Sequence, residues 1–436
     1  MSVSRTSEQG FYGWINVSVV SIAYVFGGFY LVAFGTLLPY LVDDFHWNRG
    51  TASLAATINM IALAVCGPLA GFFIVKFGAK RSILLGNVLG CAGFLLLFVH
   101  TKLWELFLGW GLLIGLAAGF GGLLALTTVI NNWFAKKRAL ALSLYLGSGT
   151  AAGMILGPAT LWMIETVGWR MTVLAMACLI LLFAIFLPAI FIRNKPQDLG
   201  QIPDGPEVTG TAAKSHSIPP MVVYKTPVDF TAAEAMRTKC LWLLIAYFCL
   251  NMLAMGALMN HQMTHLFDIG IGHTIAGFAL SVMTGMMTVS QLSVGVLSKK
   301  FSMHAIAVGG EILKILGLGI LLFTHSLPFV VVYMVVLGLG FGAAMAATMN
   351  IFPNYFGISN YPKIMGTARF FWAFVGGAGA PLAGYARDIT GSYFPAFRVA
   401  IVIIAAGLIC LIFAKPPVHP SLKKAAEPVE ALASAS

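Results

Sequence analysis

The sequence predicts an all-α membrane protein in which twelve spanning helices form two pseudo-symmetric six-helix bundles. Three observations indicate this fold class: a shortage of charge, a series of long apolar segments, and positive charges that alternate along the chain. Hydrophobic residues make up 59% of the 436 residues and charged residues only 9%, whereas soluble domains carry roughly 25% charged residues. The composition therefore excludes an ordinary globular protein.

Twelve apolar segments follow one another, and most exceed the ~20 residues that a helix needs to cross a bilayer. A polar, proline-rich stretch separates the first six from the last six. We expect a six-helix bundle at 1–192, a flexible cytoplasmic linker at 193–239, and a second bundle with a short cytoplasmic tail at 240–436. The predicted spans 1 to 12 are 13–41, 50–74, 82–100, 105–132, 139–165, 170–192, 240–264, 272–297, 304–324, 327–352, 364–386 and 393–414.

The distribution of Lys and Arg predicts the orientation, because cytoplasmic loops are enriched in these residues. If the N-terminus is cytoplasmic, 19 of the 26 Lys and Arg residues fall in cytoplasmic segments and five in outer loops. The remaining two, Lys314 and Arg369, lie within spans. We therefore expect a multi-pass protein of the inner (plasma) membrane with both termini cytoplasmic. The net charge of +11 then reflects topology, and no nucleic-acid partner is expected.

The sequence lacks the residues that several kinds of chemistry require. The six cysteines lie inside or at the edges of apolar segments without a CxxC pair, which indicates packing and not a metal site or disulfide framework. No GxxxxGK[ST] motif is present, so ATP is not expected to drive the protein. We also find no nucleophile–base constellation within the spans. The sequence thus predicts no enzyme activity, no metal and no cofactor.

Arg369 stands near the beginning of span 11, within the run "ARFFWAF". A charged side chain at the centre of a bilayer costs about 2.5–3.5 kcal/mol on insertion scales. One interpretation is a cation that snorkels to the cytoplasmic face. The other is a cavity-facing guanidinium that binds a carboxylate with two parallel hydrogen bonds. Trp372 lies one turn further on roughly the same helix face.

Two further places contain titratable groups. His261, near the end of span 7, is a candidate proton carrier because histidine titrates near neutral pH; the alternative is a simple hydrogen bond at the outer end of the span. Glu311 and Lys314 share one face of span 9, and we expect an intrahelical pair that neutralises itself. Glu311 is nevertheless the only carboxylate well inside any span, so a proton-coupled protein would have few other candidates.

Other polar side chains interrupt the apolar helices. Tyr30, Thr127, Asn260 and Gln291 are candidates for substrate contacts. Polar residues of this kind more often form helix–helix hydrogen bonds, which are worth only ~0.6 kcal/mol on average. For Tyr30 the packing interpretation is as well supported as the binding one.

The two halves repeat a loop. "GFFIVKFGAKR" (71–81) joins spans 2 and 3, and "GVLSKKFSMHA" (295–305) joins spans 8 and 9; similar halves in one orientation indicate parallel repeats. The first loop resembles the signature that follows helix 2 in the major facilitator superfamily. Val75 replaces its acidic residue, and Lys299 stands at the counterpart in the second half. Gating by ion pairs at this signature is therefore not expected.

Three stretches resemble the monocarboxylate and oxalate/formate transporter branch of that superfamily. They are "FGTLLPYLVDDFHWNRG" (34–50), "NNWFAKKRALALSLYLGSGTAAGMILGPATLWMIETVGWR" (131–170) and "GAPLAGYARDITGSYFPAF" (379–397). The resemblance implies a secondary active transporter of a small organic anion, a monocarboxylate or short dicarboxylate. It further implies alternating access by rocking of two bundles around a central site.

The same resemblance suggests roles for individual residues. In the branch, basic residues of helices 8 and 11 bind small carboxylates. Gln291 stands where the helix 8 arginine is expected, and the helix 11 cation falls near Trp372, one turn from Arg369. Thr127 and Gln291 lie on helices that line the superfamily's cavity.

The coupling mode is left open by the sequence. We expect proton symport by a monomer, with the organic anion, a proton or counter-anion, and the lipid bilayer as partners. One alternative is an anion exchanger of the oxalate/formate kind. From another class, the alternative is a transporter-fold membrane sensor whose linker binds a cytosolic partner, although the linker lacks a domain-like apolar pattern.

Overall fold

The computed structural model describes residues 11–204, 225–323 and 326–422, and every regular element in these ranges is a helix. Within the ranges, the description excludes the side chains of residues 31, 32, 49, 260 and 273–279. The all-α fold class predicted from the composition is confirmed.

Three of the first six spans, spans 1, 4 and 6, depart from a single regular α-helix. Their helices are Gly13–Gly27 and Phe29–Phe45 (span 1), Arg49–Phe77 (span 2), Ala79–Val99 (span 3), Leu103–Trp133 (span 4) and Arg138–Phe191 (spans 5 and 6). The last stretch is divided at Gly168, whose φ of 80° lies in the left-handed region that glycine adopts without a Cβ penalty. Span 4 contains a π-helical turn at Phe107–Ile114 and a break at Gly122, and span 6 contains a π-helical turn at Ile180–Phe186.

The last six spans contain one interruption, in span 11. Their helices are Lys239–Asp268, His273–Leu297, Met303–Leu322, Leu327–Phe356, Tyr361–Gly376 with Gly379–Thr390 (span 11), and Phe394–Phe413. Two short elements lie outside the spans, the 3₁₀ turn Pro196–Leu199 and the helix Ala232–Met236.

The predicted number of spans agrees with these helices. In the described residues, nine helices are long and apolar enough to cross a membrane. The longest contains spans 5 and 6, which Gly168 separates, and spans 1 and 11 each consist of two shorter helices. Twelve spans result. The sequence analysis missed the interruptions of spans 1 and 11, because hydropathy does not register a local break in an apolar run.

The described residues group into two units. One holds the chain up to Ala62 and from Lys76 to residue 204, and the other holds Leu63–Val75 and the chain from residue 225 onward. The predicted boundaries at 192/193 and 239/240 stay a prediction.

In the first unit, a polar and aromatic cluster joins the ends of spans 1, 3 and 5 to the beginning of span 6. Trp169 Nε1 donates to Asp44 Oδ2 over 2.7 Å, and Arg170 Nη1 donates to the Phe98 carbonyl over 2.7 Å. The Arg170 guanidinium lies 4.4 Å from the Trp169 ring centroid, a cation–π distance. The "DDFHW" and "GWR" motifs therefore contribute structural contacts to this unit.

The beginning of the linker is docked on the first unit. The Asp204 carboxylate accepts hydrogen bonds from the backbone amides of Ala135 (2.5 Å), Lys136 (3.2 Å) and Lys137 (3.0 Å). Trp133 Nε1 donates to the Arg193 carbonyl over 2.8 Å. Residues 193–204 thus lie against the loop that joins spans 4 and 5.

The end of the linker is docked on the second unit. Phe230 is fully buried, and its amide donates to the Phe356 carbonyl over 2.9 Å. The Asp229 carboxylate accepts from the amide and hydroxyl of Ser359. The sequence analysis did not predict these contacts at the two described ends. The flexible linker stays a prediction, and residues 205–224 lie outside the described ranges.

Candidate functional site

Arg369 lies in the middle of a helix. The helix begins at Tyr361, three residues before the predicted start of span 11, and ends at Gly376. At 1.5 Å per residue, Arg369 lies roughly 12 Å along it. The side chain is half-buried, and the residues on either side of it, Ala368 and Phe370, are apolar. The cation is thus further from the helix end than the sequence predicted.

Trp372, one turn beyond Arg369, is fixed by aromatic contacts. Its ring centroid lies 4.4 Å from that of Phe248 in span 7, and Phe248 lies 5.8 Å from Phe352 in span 10. Trp372 is only 7% exposed. The second unit therefore holds the indole in a defined position, one turn from Arg369 on the same helix.

A close backbone contact precedes Arg369 by one turn. In the second unit, a Cβ built on Gly366 would lie 2.4 Å from the Gly67 carbonyl oxygen, and one on Gly71 would lie 2.4 Å from the Pro362 carbonyl oxygen. Small residues of this kind allow membrane helices to approach closely. Within this unit, the helix that carries Arg369 therefore packs closely against residues 67–71.

Two of the other predicted contacts, Tyr30 and Thr127, use their polar atoms in hydrogen bonds within the first unit. In the first unit, the Tyr30 hydroxyl donates to Asn87 Oδ1 over 3.0 Å, and the fully buried Thr127 donates to the Leu123 carbonyl over 2.7 Å. In the second unit, Gln291 is 2% exposed in span 8. The side chain of Asn260 is outside the described part of the structure. All four stay predictions as substrate contacts.

His261 makes hydrogen bonds with both ring nitrogens. Nε2 lies 2.8 Å from the Ala380 carbonyl oxygen, and Nδ1 lies 3.1 Å from the Tyr393 hydroxyl. Since a carbonyl only accepts, Nε2 carries the proton, and in the neutral ring Nδ1 accepts from Tyr393. A second proton on Nδ1 requires the Tyr393 hydroxyl to turn and accept. His261 therefore joins span 7 to the second helix of span 11 and to the start of span 12.

Glu311 and Lys314 form a fully buried pair that involves more than one helix. Lys314 Nζ lies 2.6 Å from Glu311 Oε1, and the two side chains are 3% and 0% exposed. The Tyr247 hydroxyl donates to the same Oε1 over 2.6 Å, and Lys314 also donates to Asn251 Oδ1. Sequence analysis predicted the pair but missed Tyr247 and Asn251. Their spacing of four residues in span 7 was the available signal.

One cavity of the second unit lies apart from these residues. One apolar cavity of about 170 Å³ lies among spans 7, 11 and 12, where Leu253, Leu382 and Val399 line it. None of the predicted binding residues is among its lining residues. The candidate site is therefore identified by its charges and hydrogen bonds and not by the position of this cavity.

Comparison with known proteins agrees with the fold. A profile of the Major Facilitator Superfamily matches residues 20–323 and 264–435. The chain is 26% identical to monocarboxylate transporter 13 of Bos taurus, over 93% of this chain and 90% of that protein. It is 25% identical to monocarboxylate transporter 2 of Rattus norvegicus, over 93% and 83%.

A solved structure gives the same architecture. The fucose:proton symporter of E. coli superposes with a TM-score of 0.69 at 15% identity, covering 94% of this chain and all of that one. At such low identity the likeness concerns the fold alone. These similarities are to transporters and not to enzymes, and the chain is a multi-pass membrane protein that belongs to the major facilitator superfamily.

Proposed function

We propose that this protein is a secondary active transporter of a small organic anion, a monocarboxylate or short dicarboxylate, that works by alternating access. The observation that carries the proposal is Arg369, a half-buried cation about 12 Å into an apolar helix. Buried charges inside membrane helices usually mark substrate pathways. The names of the monocarboxylate transporters that this chain resembles support the same class of solute.

The chemistry of Arg369 favours a carboxylate over a neutral solute. A guanidinium presents parallel N–H donors that match the two oxygens of a carboxylate. The indole of Trp372, held against Phe248, supplies an adjacent apolar surface for the rest of a small anion. A neutral sugar would use neither the charge nor the paired donors.

Transport by proton symport is the mode we propose, with exchange for a second anion as the alternative. His261 is the proton carrier that the sequence predicts, and its hydrogen bonds to Tyr393 and Ala380 would pass a change of protonation to spans 11 and 12. We further propose a monomer in the inner (plasma) membrane with both termini cytoplasmic, on the basis of the distribution of Lys and Arg.

The test is uptake into proteoliposomes. Labelled lactate, pyruvate, oxalate and formate serve as probes, and fucose serves as the neutral comparison. We expect Arg369→Gln to abolish anion uptake while the protein still purifies as a single species. The control is Arg398→Gln, which removes an exposed cation at the outer end of span 12. Anion uptake by Arg369→Gln at the rate of the unmodified protein would refute the anion role.

The same vesicles separate the two modes. Symport predicts that an inward proton gradient drives net uptake without any anion inside. Exchange predicts that uptake requires an internal anion and is insensitive to the gradient. His261→Gln is expected to remove the response to the gradient if this residue carries the proton.

A further inference from the structure

We infer that Glu311 is a protonation site of this transporter, and that Lys314 converts its protonation into attraction for the substrate anion. The inference rests on the proposed anion transport and adds a residue to it. It is carried by the arrangement of the pair, because Glu311 and Lys314 are joined to span 7 through Tyr247 and Asn251.

Glu311 has one occupied and one open oxygen. Oε1 accepts from both Tyr247 and Lys314, whereas Oε2 is buried without a hydrogen-bond partner among the described residues. Buried polar atoms nearly always have a partner, so an exception points to a function or to a small mobile ligand. A proton that adds to Oε2 leaves both hydrogen bonds on Oε1 intact. The carboxylate can therefore change its charge without rearrangement of its neighbours.

Lys314 is equipped to remain charged when Glu311 is neutral. Its ammonium group has three donors, and besides Glu311 it contacts Asn251 Oδ1 and lies 5.0 Å from the centroid of the Phe341 ring. An amide oxygen and the face of an aromatic ring both stabilise a cation. These two contacts remain in place when Glu311 loses its charge.

No other charged group in the described surroundings competes for the proton. Span 10, which contributes Phe341 and Thr348, contains no Asp, Glu, Lys, Arg or His. Span 12 contains one charged residue, Arg398, and it is exposed at the outer end. From span 7 the only titratable side chain that contacts Glu311 is Tyr247, which donates its hydrogen to Oε1.

The proton step changes the charge of the pair from zero to +1. A proton from water bonds to Glu311 Oε2 and forms a carboxylic acid, and its release restores the carboxylate. An unneutralised positive charge in a protein interior is costly, and an anion nearby lowers that cost. Tyr247, which contacts Glu311, is followed by Phe248, which packs on Trp372, so span 7 contacts both the pair and the proposed anion site. Proton and anion would then load together.

The test compares two kinds of transport in one variant. We expect Glu311→Gln to lose proton-gradient-driven uptake of labelled lactate, pyruvate, oxalate or formate into proteoliposomes that contain no anion. We expect the same variant to retain exchange of external labelled anion for internal anion in loaded proteoliposomes. Glu165→Gln, which changes an exposed carboxylate in span 5, is the matched control and should retain both. Gradient-driven uptake by Glu311→Gln equal to that of the unmodified protein would overturn the inference.

Two additions keep the test decisive. If Glu311→Gln does not fold because Lys314 is left unpaired, the double variant Glu311→Gln/Lys314→Gln carries no buried charge and should show the same loss of gradient-driven uptake. Infrared difference spectra between alkaline and acidic buffer should show a carboxylic-acid band that the double variant lacks, and an unchanged band would also overturn the inference. If the unmodified protein moves none of the anions, the proposed function fails, while the infrared band still tests Glu311.

Discussion

Replacement of Asp204 by Ala tests whether the linker is docked in solution. This half-buried carboxylate accepts hydrogen bonds from three consecutive amides, those of Ala135, Lys136 and Lys137. The alanine variant leaves these amides to water. Residues 193–204 would then lose their main polar contact with the loop between spans 4 and 5.

The size of the effect follows from the geometry. A hydrogen bond to a charged group contributes about 1.5–3 kcal/mol, but the three share one carboxylate and the side chains of Lys136 and Lys137 are exposed, so their contributions do not add in full. We expect a loss of about 2–3 kcal/mol in local stability. Since 1.4 kcal/mol corresponds to a factor of ten, amide exchange in this loop should accelerate by roughly 30- to 150-fold.

The measurement is hydrogen exchange followed by mass spectrometry on peptides that cover residues 133–140. Asp198→Ala is the matched control, because that carboxylate accepts from the amide of Lys195 within the linker and should leave the exchange of 133–140 unchanged. Equal amide exchange of residues 133–140 in Asp204→Ala and in the unmodified protein would show that Asp204 does not hold residues 193–204 against this loop.

Two further changes have defined outcomes. Lys314→Met leaves Glu311 buried without its counter-ion and should destabilise the protein by about 3–5 kcal/mol, measured by thermal unfolding. Combination with Glu311→Gln should recover most of this loss. A melting temperature of Lys314→Met equal to that of the unmodified protein would contradict the charged pair. The Glu234 carboxylate accepts hydrogen bonds from the hydroxyl and amide of Thr231 and lies 3.5 Å from His419. The hydrogen bonds from Thr231, and to a smaller extent His419, lower the pKa of the Glu234 carboxyl. Its contribution to stability is therefore complete above the unfolded pKa of about 4.3 and is lost as the pH falls through the lowered folded value. Glu234→Gln should remove this acid-dependent loss of amide protection at 231–236, and an unchanged acid profile would contradict the assigned cause.

Much of the fold was predictable because hydropathy and charge act over whole segments. An apolar run of span length has few alternatives to a membrane helix, and the alternation of Lys and Arg checks the number of runs. The break between Gly376 and Gly379 was not predictable in this way, since the residues on both sides are equally apolar. The docked linker ends were missed because the partners of Asp204 and Phe230 are distant in sequence.

The candidate site was predictable only in part. Arg369 and Glu311 were found because a charge inside a span is conspicuous in any sequence. Tyr247 and Asn251 were missed, because whether a polar side chain faces lipid, a neighbouring helix or a cavity depends on the rotation of its helix. For the same reason the sequence could not tell that Glu311 shares its Oε1 with a tyrosine from span 7.

The division of span 11 has a consequence for the experimental mapping of this protein. Its helices of 16 and 12 residues measure about 24 and 18 Å, and neither alone crosses a hydrocarbon layer of about 30 Å. A method that accepts only long uninterrupted helices would omit spans 1 and 11. Such an omission inverts every span from the second to the tenth, yet it leaves both chain ends on the correct side. Reporter fusions at the two termini would therefore not detect the mistake, and a reporter in an interior loop would.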